Sequence, residues 1–326
     1  MRSRTLFGAV LCLIAAVSWG AMFPAAHVAF QHIDPFCFTV IRYGSVSLLL
    51  VLLLLWKEGK QAFRLEGKGM QLWFYGTMAF TVYNLFIFWG QDMAGEPGIM
   101  AASIMESLMP MISLVIGWVL FRKRSEPLTL VCVLVSFIGA VLVITKGDLD
   151  SLTDLSGQGI SSMLMLIAVI GWVIYTMGGS KFPGWSVLRY TTLSCLLGTI
   201  TAMSVTAVTT MVGYTELPSI GDVMHAGPQL LFVIVFPGII ALLGWNTGVS
   251  ILSPVQGLLF LNFVPITTLA ITIVQGYAIT WFDVVGTIFI IASLISYYML
   301  TKAGHKKPAA AYLKPVRTGN MREGVL

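Results

Sequence analysis

The chain has 326 residues, 57% of them hydrophobic and 10% charged, with a formal net charge of +5 and a mean hydropathy of +0.88. That composition excludes a soluble globular domain. The basic residues are spread over connectors and one tail, which excludes nucleic acid as a partner, and the four cysteines (Cys12, Cys37, Cys132, Cys195) stand singly, without metal or redox spacing.

In chain order, ten apolar runs follow one another: Phe7–Ala26, Phe36–Trp56, Met70–Trp89, Ile99–Leu120, Leu128–Thr145, Ile160–Ser180, Val187–Val212, Gln229–Val249, Pro254–Val274 and Trp281–Thr301. Each holds about 18–25 residues, enough to cross a hydrocarbon core of about 30 Å. Lipid offers backbone groups no hydrogen-bond partners, and the runs are too long for barrel strands, so they predict helices. The first run contains Trp19 and Pro24 and lacks a small-x-small cleavage site, so it reads as a retained helix rather than a signal peptide. The fold class expected is all-α and integral to the membrane, with ten crossings.

Charge sorts the connectors. If the N-terminus is cytoplasmic, the cytoplasmic segments carry Arg2, Arg4, Lys57, Lys60, Arg64, Lys68, Arg122, Lys123, Arg124, Lys181 and the basic residues from Lys302 onward. Of the 19 Lys and Arg, only Lys146 falls on the other side, once Arg42 and Arg189 are set aside as lying at helix starts. The outer connectors carry acids instead, among them Asp34, Asp92, Glu96, Glu216 and Asp222. This is a positive-inside pattern, and it predicts a multi-pass protein of the inner (plasma) membrane with both termini cytoplasmic.

Five crossings and five more suggest a repeat, and a repeat of odd length must recur upside down. Ile14–Trp19 in the first run is echoed by Ile167–Trp172 in the sixth. Val40-Ile41-Arg42-Tyr43 is echoed by Val187-Leu188-Arg189-Tyr190, and Leu108-Met109-Pro110 by Phe263-Val264-Pro265. At that last offset Gln91 falls opposite Asn246. The boundaries expected are 1–145 and 146–301 for the two five-helix repeats, with a disordered basic cytoplasmic tail at 302–326. Inverted repeats can exchange conformations, which opens a midplane site to either side in turn.

With Ser18-Trp19-Gly20, Arg42-Tyr43, the prolines of runs four and nine, and Glu126-Pro127-Leu128-Thr129 before run five, the chain resembles the drug/metabolite transporter superfamily, EamA type, over about residues 5–301. The counterpart before run ten, Ala278-Ile279-Thr280-Trp281, lacks the glutamate. The resemblance implies a bundle around a central cavity that moves small metabolites, often outward. Members carry amino acids, drugs, sugars or nucleotide conjugates, and some export aromatic amino acids.

Glu106 is the one acid deep inside an apolar run. A charge at bilayer centre costs about 2.5–3.5 kcal/mol on insertion scales, so it faces a cavity or a partner. Pro110 frees the Glu106 carbonyl, and carboxylate plus free carbonyl at one turn make a proton or ammonium site. Pro24, Pro237 and Pro265 likewise free the carbonyls of Gly20, Val233 and Leu261; Pro24, Pro110 and Pro265 are the hinge candidates. Trp19 and Trp172 lie mid-helix at matching places and are expected to meet, with Tyr83, Trp89 and Trp245 as further wall candidates for an apolar, aromatic or cationic substrate. Trp56, Trp73, Trp118, Trp185 and Trp281 read as interfacial belt. Ser107 and Asn262, each three residues before a proline, are placed near the site. Arg42 either meets a substrate carboxylate or extends to the outer interface, the second being favoured. Gly244 and Gly248 mark a close helix contact, within the chain or between chains.

The sequence holds no Gly-x-Ser-x-Gly, His-Glu-x-x-His or Gly-x-x-x-x-Gly-Lys motif, so no enzyme activity, metal or cofactor is expected. The partners expected are a small-molecule substrate, the lipid bilayer and protons. The expectation is a secondary transporter that exports small metabolites, amino acids (aromatic ones included) or drug-like compounds by alternating access. The rival is a non-transport membrane protein, either an embedded enzyme or a receptor or scaffold.

Overall fold

The structure, a computed structural model, describes residues 2–121, 131–132, 134–135, 137–139, 141–142, 147, 158–276 and 280–304. Every regular element among them is helical. We number the long helices α1 (Arg2–Phe30), α2 (Pro35–Glu58), α3 (residues 69–93), α4 (residues 96–121), α5 (helical at the described residues between 131 and 142), α6 (Gln158–Gly178), α7 (Val187–Met211), α8 (residues 227–252), α9 (residues 254–274) and α10 (Trp281–Gly304). Seven of the described helices are long and apolar enough to cross a membrane. The motif at Glu126–Thr129, the Ala278-Ile279 segment and the tail from His305 lie outside the described residues.

The helix ends sort onto two sides of the bundle. At one side the connector before α3 meets the connector before α7, through Glu66, Trp185 and Arg189. At the other, His32 stacks on His225, and Phe36, Trp89 and Tyr214 pack together. Successive helix ends thus alternate between the two sides.

Packing treats the halves as interchangeable. α1 packs on α8 and α6 on α3; α1 packs on α9 and α6 on α4; α3 packs on α7 and α2 on α8; α2 meets α7 and α4 meets α9. Exchanging the first five helices for the second five leaves each of these contacts in place.

The irregularities repeat too. α3 contains a π-helical stretch at Met78–Tyr83, and α8 contains one at Ile234–Ile240, around Pro237. α4 breaks at Ser107–Leu108, between Glu96–Glu106 and Met109–Phe121. α9 tightens to a 3₁₀ turn at Leu259–Asn262 before Phe263–Val274. Both breaks fall two or three residues ahead of a proline, Pro110 and Pro265, because the ring cannot continue the preceding hydrogen-bond ladder. α1 behaves otherwise. It runs on through Pro24, and the freed Gly20 carbonyl accepts a bond of 2.8 Å from Thr268 Oγ1 of α9.

Small residues set the closest approaches. A Cβ on Gly248 would strike Cys12 Sγ and the Gly8 carbonyl, so the Gly244/Gly248 pair serves contact with α1 inside the chain. Gly76 of α3 and Gly198 of α7 face one another, and a Cβ on Gly198 would overlap the Gly76 carbonyl. A leucine there forces the helices apart, at an overpacking cost of about 1–3 kcal/mol. Gly198→Leu should therefore lower the thermal midpoint of purified protein in detergent, whereas Gly44→Leu, with nothing within 4 Å, should not. Equal midpoints for the two variants would show that α3 and α7 are not in this register.

Candidate functional site

At the centre of the bundle, four helices supply one aromatic cluster. Trp19 of α1 meets Trp172 of α6 edge-on at 5.1 Å between ring centres, and Trp245 of α8 at 5.2 Å. Trp172 lies 6.4 Å from Trp245 and 5.0 Å from Tyr83 of α3. Each such pair contributes about 0.5–1.5 kcal/mol beyond area burial. Trp19 Nε1 donates to the Pro237 carbonyl at 3.1 Å, inside the π-helical stretch of α8. Trp245 Nε1 is buried without a hydrogen-bond partner.

Glu106 reaches this cluster from the last turn before the α4 break. It is 1% exposed, and the Tyr83 hydroxyl donates to its Oε1. The next residue, Ser107, has a buried hydroxyl without a partner. At the equivalent break in α9, Asn262 donates Nδ2 to the Leu259 carbonyl at 2.7 Å, while its Oδ1 is also buried and unpartnered. Thus the two broken turns each hold an unsatisfied polar atom, and the 259–262 turn packs against the Glu96–Glu106 segment. Non-helical backbone at membrane depth is tolerated where it is buried in protein or lines a water-filled cavity.

Of the site residues expected from sequence, Trp19, Trp172, Trp245, Tyr83 and Glu106 come together; Ser107 continues the Glu106 turn, and Asn262 sits on the matching one. Trp89 does not join them. It packs with Phe36, Phe86 and Tyr214 at the end of the bundle bearing His32 and His225. Arg42 does not extend to an interface, because it is 1% exposed and bonds to the Val233 carbonyl and to Asn84 Oδ1, each at 3.3 Å. Pro237, four residues after Val233, lacks the N–H that would bond that carbonyl in a regular α-helix.

A second layer was not foreseen. Tyr175, three residues after Trp172 and so on the same helix face, stacks on Tyr190 at 5.4 Å. Asn246 Nδ2 donates to the Tyr175 hydroxyl at 3.0 Å and to Thr191 Oγ1 at 3.1 Å. The spacing from Trp172 to Tyr175 and from Trp245 to Asn246 was the available signal.

The EamA-like transporter family matches residues 6–145 and again residues 159–299. The chain belongs to the EamA-like transporter family. An uncharacterized transporter of Bacillus subtilis (strain 168), YrdR, is 50% identical over 296 residues, covering 90% of this chain and 92% of its own. Another from the same organism, YyaM, is 22% identical over 289 residues. A solved crystal structure covers 94% of this chain and 100% of that chain at a TM-score of 0.68 and 15% identity, which shows a shared fold. The central cluster draws on both stretches that match the family, Trp19, Tyr83 and Glu106 from the first, Trp172, Trp245 and Asn262 from the second.

One further assembly closes the end of the bundle near the α3 and α7 starts. Arg189 pairs with Glu66 at 2.8 Å and lies 4.0 Å from the Trp185 ring, while Trp185 Nε1 donates to Glu66 at 2.9 Å. Glu66 holds a left-handed backbone, φ 51°, a conformation that non-glycine residues keep only when neighbours fix it. The bonds from Trp185 and Arg189 hold its carboxyl below the usual carboxylate range. A lowered carboxyl value means that the clamp is present above the usual range and is lost as pH falls through the lowered one. Glu66→Gln should speed hydrogen exchange in residues 59–68 and 179–186 at neutral pH, and wild type should do so only once pH falls below the usual carboxylate range; equal exchange in both at neutral pH would show that these connectors are held by other contacts.

The Tyr83–Glu106 bond is testable as a coupling. Removing either partner leaves the other buried and unsatisfied, at about 1–3 kcal/mol. Tyr83→Phe and Glu106→Leu, which each delete one side of the bond, should each lower stability in detergent, and the double variant should lose less than the sum of the two. Strict additivity would mean that the two side chains do not bond.

Proposed function

We propose that this EamA-like transporter is a secondary exporter of small metabolites, amino acids (aromatic ones included) or drug-like compounds, working by alternating access with proton coupling at Glu106. The observation that carries this reading is the convergence of one carboxyl and three tryptophans from both family-matching stretches, beside two broken helices with unsatisfied polar atoms. Aromatic faces and a carboxyl together suit an ammonium-bearing cargo with an apolar side chain, since the ring quadrupole and the anion both attract the cation. Proton and ammonium then compete for one group, which ties the cargo to the pH gradient.

In this reading the units are 1–145 and 146–301, exchanging shapes about the α4 and α9 breaks, with Pro110 and Pro265 as hinges and Pro24 as a lesser bend. The family match to residues 6–145 and 159–299 and the exchangeable packing support it. In this reading the protein sits in the inner (plasma) membrane with both termini cytoplasmic.

Flux in proteoliposomes under a set pH gradient, with a panel of amino acids and amphipathic amines, tests the reading. Wild type should move at least one class of cargo against its gradient; Glu106→Gln should abolish pH-driven flux while leaving folded yield unchanged. Trp19→Ala or Trp172→Ala should weaken apparent affinity by about tenfold, from the loss of stacking and burial. Wild-type flux insensitive to pH, or a Glu106→Gln variant with wild-type flux, removes Glu106 from the mechanism.

A further inference from the structure

Arg42 is a charged side chain buried at the centre that the transport mechanism above leaves unused. Its guanidinium has five donors. Nε goes to the Val233 carbonyl and Nη1 to Asn84, both at 3.3 Å and both neutral acceptors. Its carbon lies 4.6 Å from the Tyr43 ring centre and 5.8 Å from that of Phe88. Among the described residues it forms no ion pair, and Nη2 forms no hydrogen bond. The equivalent arginine of the second half, Arg189, sits nearer the surface and has its carboxylate, Glu66.

The other ionisable group of the cluster, Glu106, is bonded to Tyr83 and not to Arg42. One turn of α3 keeps them apart. Tyr83 holds Glu106 and its neighbour Asn84 holds Arg42, and adjacent residues on a helix point about 100° from one another. Asn84 is itself fixed, because its Nδ2 donates to the Ala79 carbonyl of the π-helical stretch at 2.7 Å, which aims Oδ1 at the arginine. When Glu106 gives up its proton, the site holds two opposite charges that adjacent residues of α3 bond separately, which is the electrostatic form of a receptor for a dipolar ion.

We infer that Arg42 receives the carboxylate of a zwitterionic substrate whose ammonium goes to Glu106, and that it thereby selects amino-acid-like cargo over simple amines. The assignment rests on the transport reading above and narrows it. The Nη2 side of the guanidinium supplies the free donors, the substrate carboxylate replaces the long bond to Asn84, and the apolar side chain lies among Trp19, Trp172 and Trp245. A purely structural Arg42, present to satisfy the Val233 carbonyl, would select nothing.

The test is equilibrium binding of radiolabelled L-tryptophan and tryptamine, which differ by the carboxylate, to the full chain in detergent and in proteoliposomes. Wild type should bind tryptophan at least about tenfold more tightly than tryptamine, the size of one charge-assisted contact. Arg42→Gln should bring the two affinities within about twofold by weakening tryptophan alone, and Arg42→Lys should restore part of the gap. If Arg42→Gln does not fold, Asn84→Asp serves instead: it gives the guanidinium an internal carboxylate and should likewise weaken tryptophan alone. A wild type that prefers tryptamine, or variants that weaken both ligands alike, overturns the assignment. The outcomes separate from those of the transport reading. Selective binding without flux removes transport and keeps Arg42; amine flux without preference for the zwitterion keeps transport and removes Arg42; binding of neither ligand removes both.

Discussion

A carboxyl and a guanidinium buried at the centre of the bundle, each held by a neutral group and not by the other, set the terms for the surrounding structure. Glu106 depends on the Tyr83 hydroxyl, and Arg42 depends on Asn84 and the Val233 carbonyl. Lipid would satisfy neither charge, so the backbone around them has to be irregular: π-helical in α3 and α8, broken in α4 and α9. Those irregularities cost regular helix bonds. They supply in exchange the carbonyls and side-chain angles that keep a carboxyl and a guanidinium in a medium hostile to both.

The same features recur in both halves. Each half contributes a mid-helix tryptophan, a π-helical stretch, a broken helix and an arginine in the first third of its second helix, about two turns into α2 for Arg42 and in the first turn of α7 for Arg189, but the two arginines differ in surroundings. Arg42 is enclosed near the centre, and Arg189 is clamped to Glu66 and Trp185 at one end. Matched parts in unmatched settings are what alternating access requires of a two-repeat transporter, since the motion consists of each half taking the other's arrangement. The Gly76–Gly198 and Gly248–Cys12 contacts pack helices of opposite halves closely together, and in the mechanism proposed above the breaks ahead of Pro110 and Pro265 are where the backbone flexes.

Much of this was legible in the chain itself. Apolar run length gave the helices, and the sign of connector charge gave the two sides. Trp19 and Trp172 were paired from their places in the repeat, and they lie 5.1 Å apart. Glu106 announced itself by being costly, and the prolines marked the breaks. Arg42 misled because a position near a helix start ordinarily extends to water; it lies about two turns inside α2, though, and the π-helical stretch of α8 offers it a carbonyl there. The π-helical stretch at Met78–Tyr83 contains no proline and no pattern that betrays an extra residue, so the turn that separates Tyr83 from Asn84 was invisible. Trp89 was grouped with the site by type alone, and tertiary packing placed it in another cluster. The disposition of the fifth helix and of the C-terminal tail lies outside the described residues.

The central claim is that the Glu106 carboxyl exchanges a proton for cargo. Proton release on cargo binding, followed with a pH indicator in weakly buffered detergent solution, reads this directly. The account predicts that saturating wild-type protein with a transported amine or amino acid expels protons, and that Glu106→Gln binds with no release. Binding of the same cargo to wild type with no proton released across the pH range would contradict it.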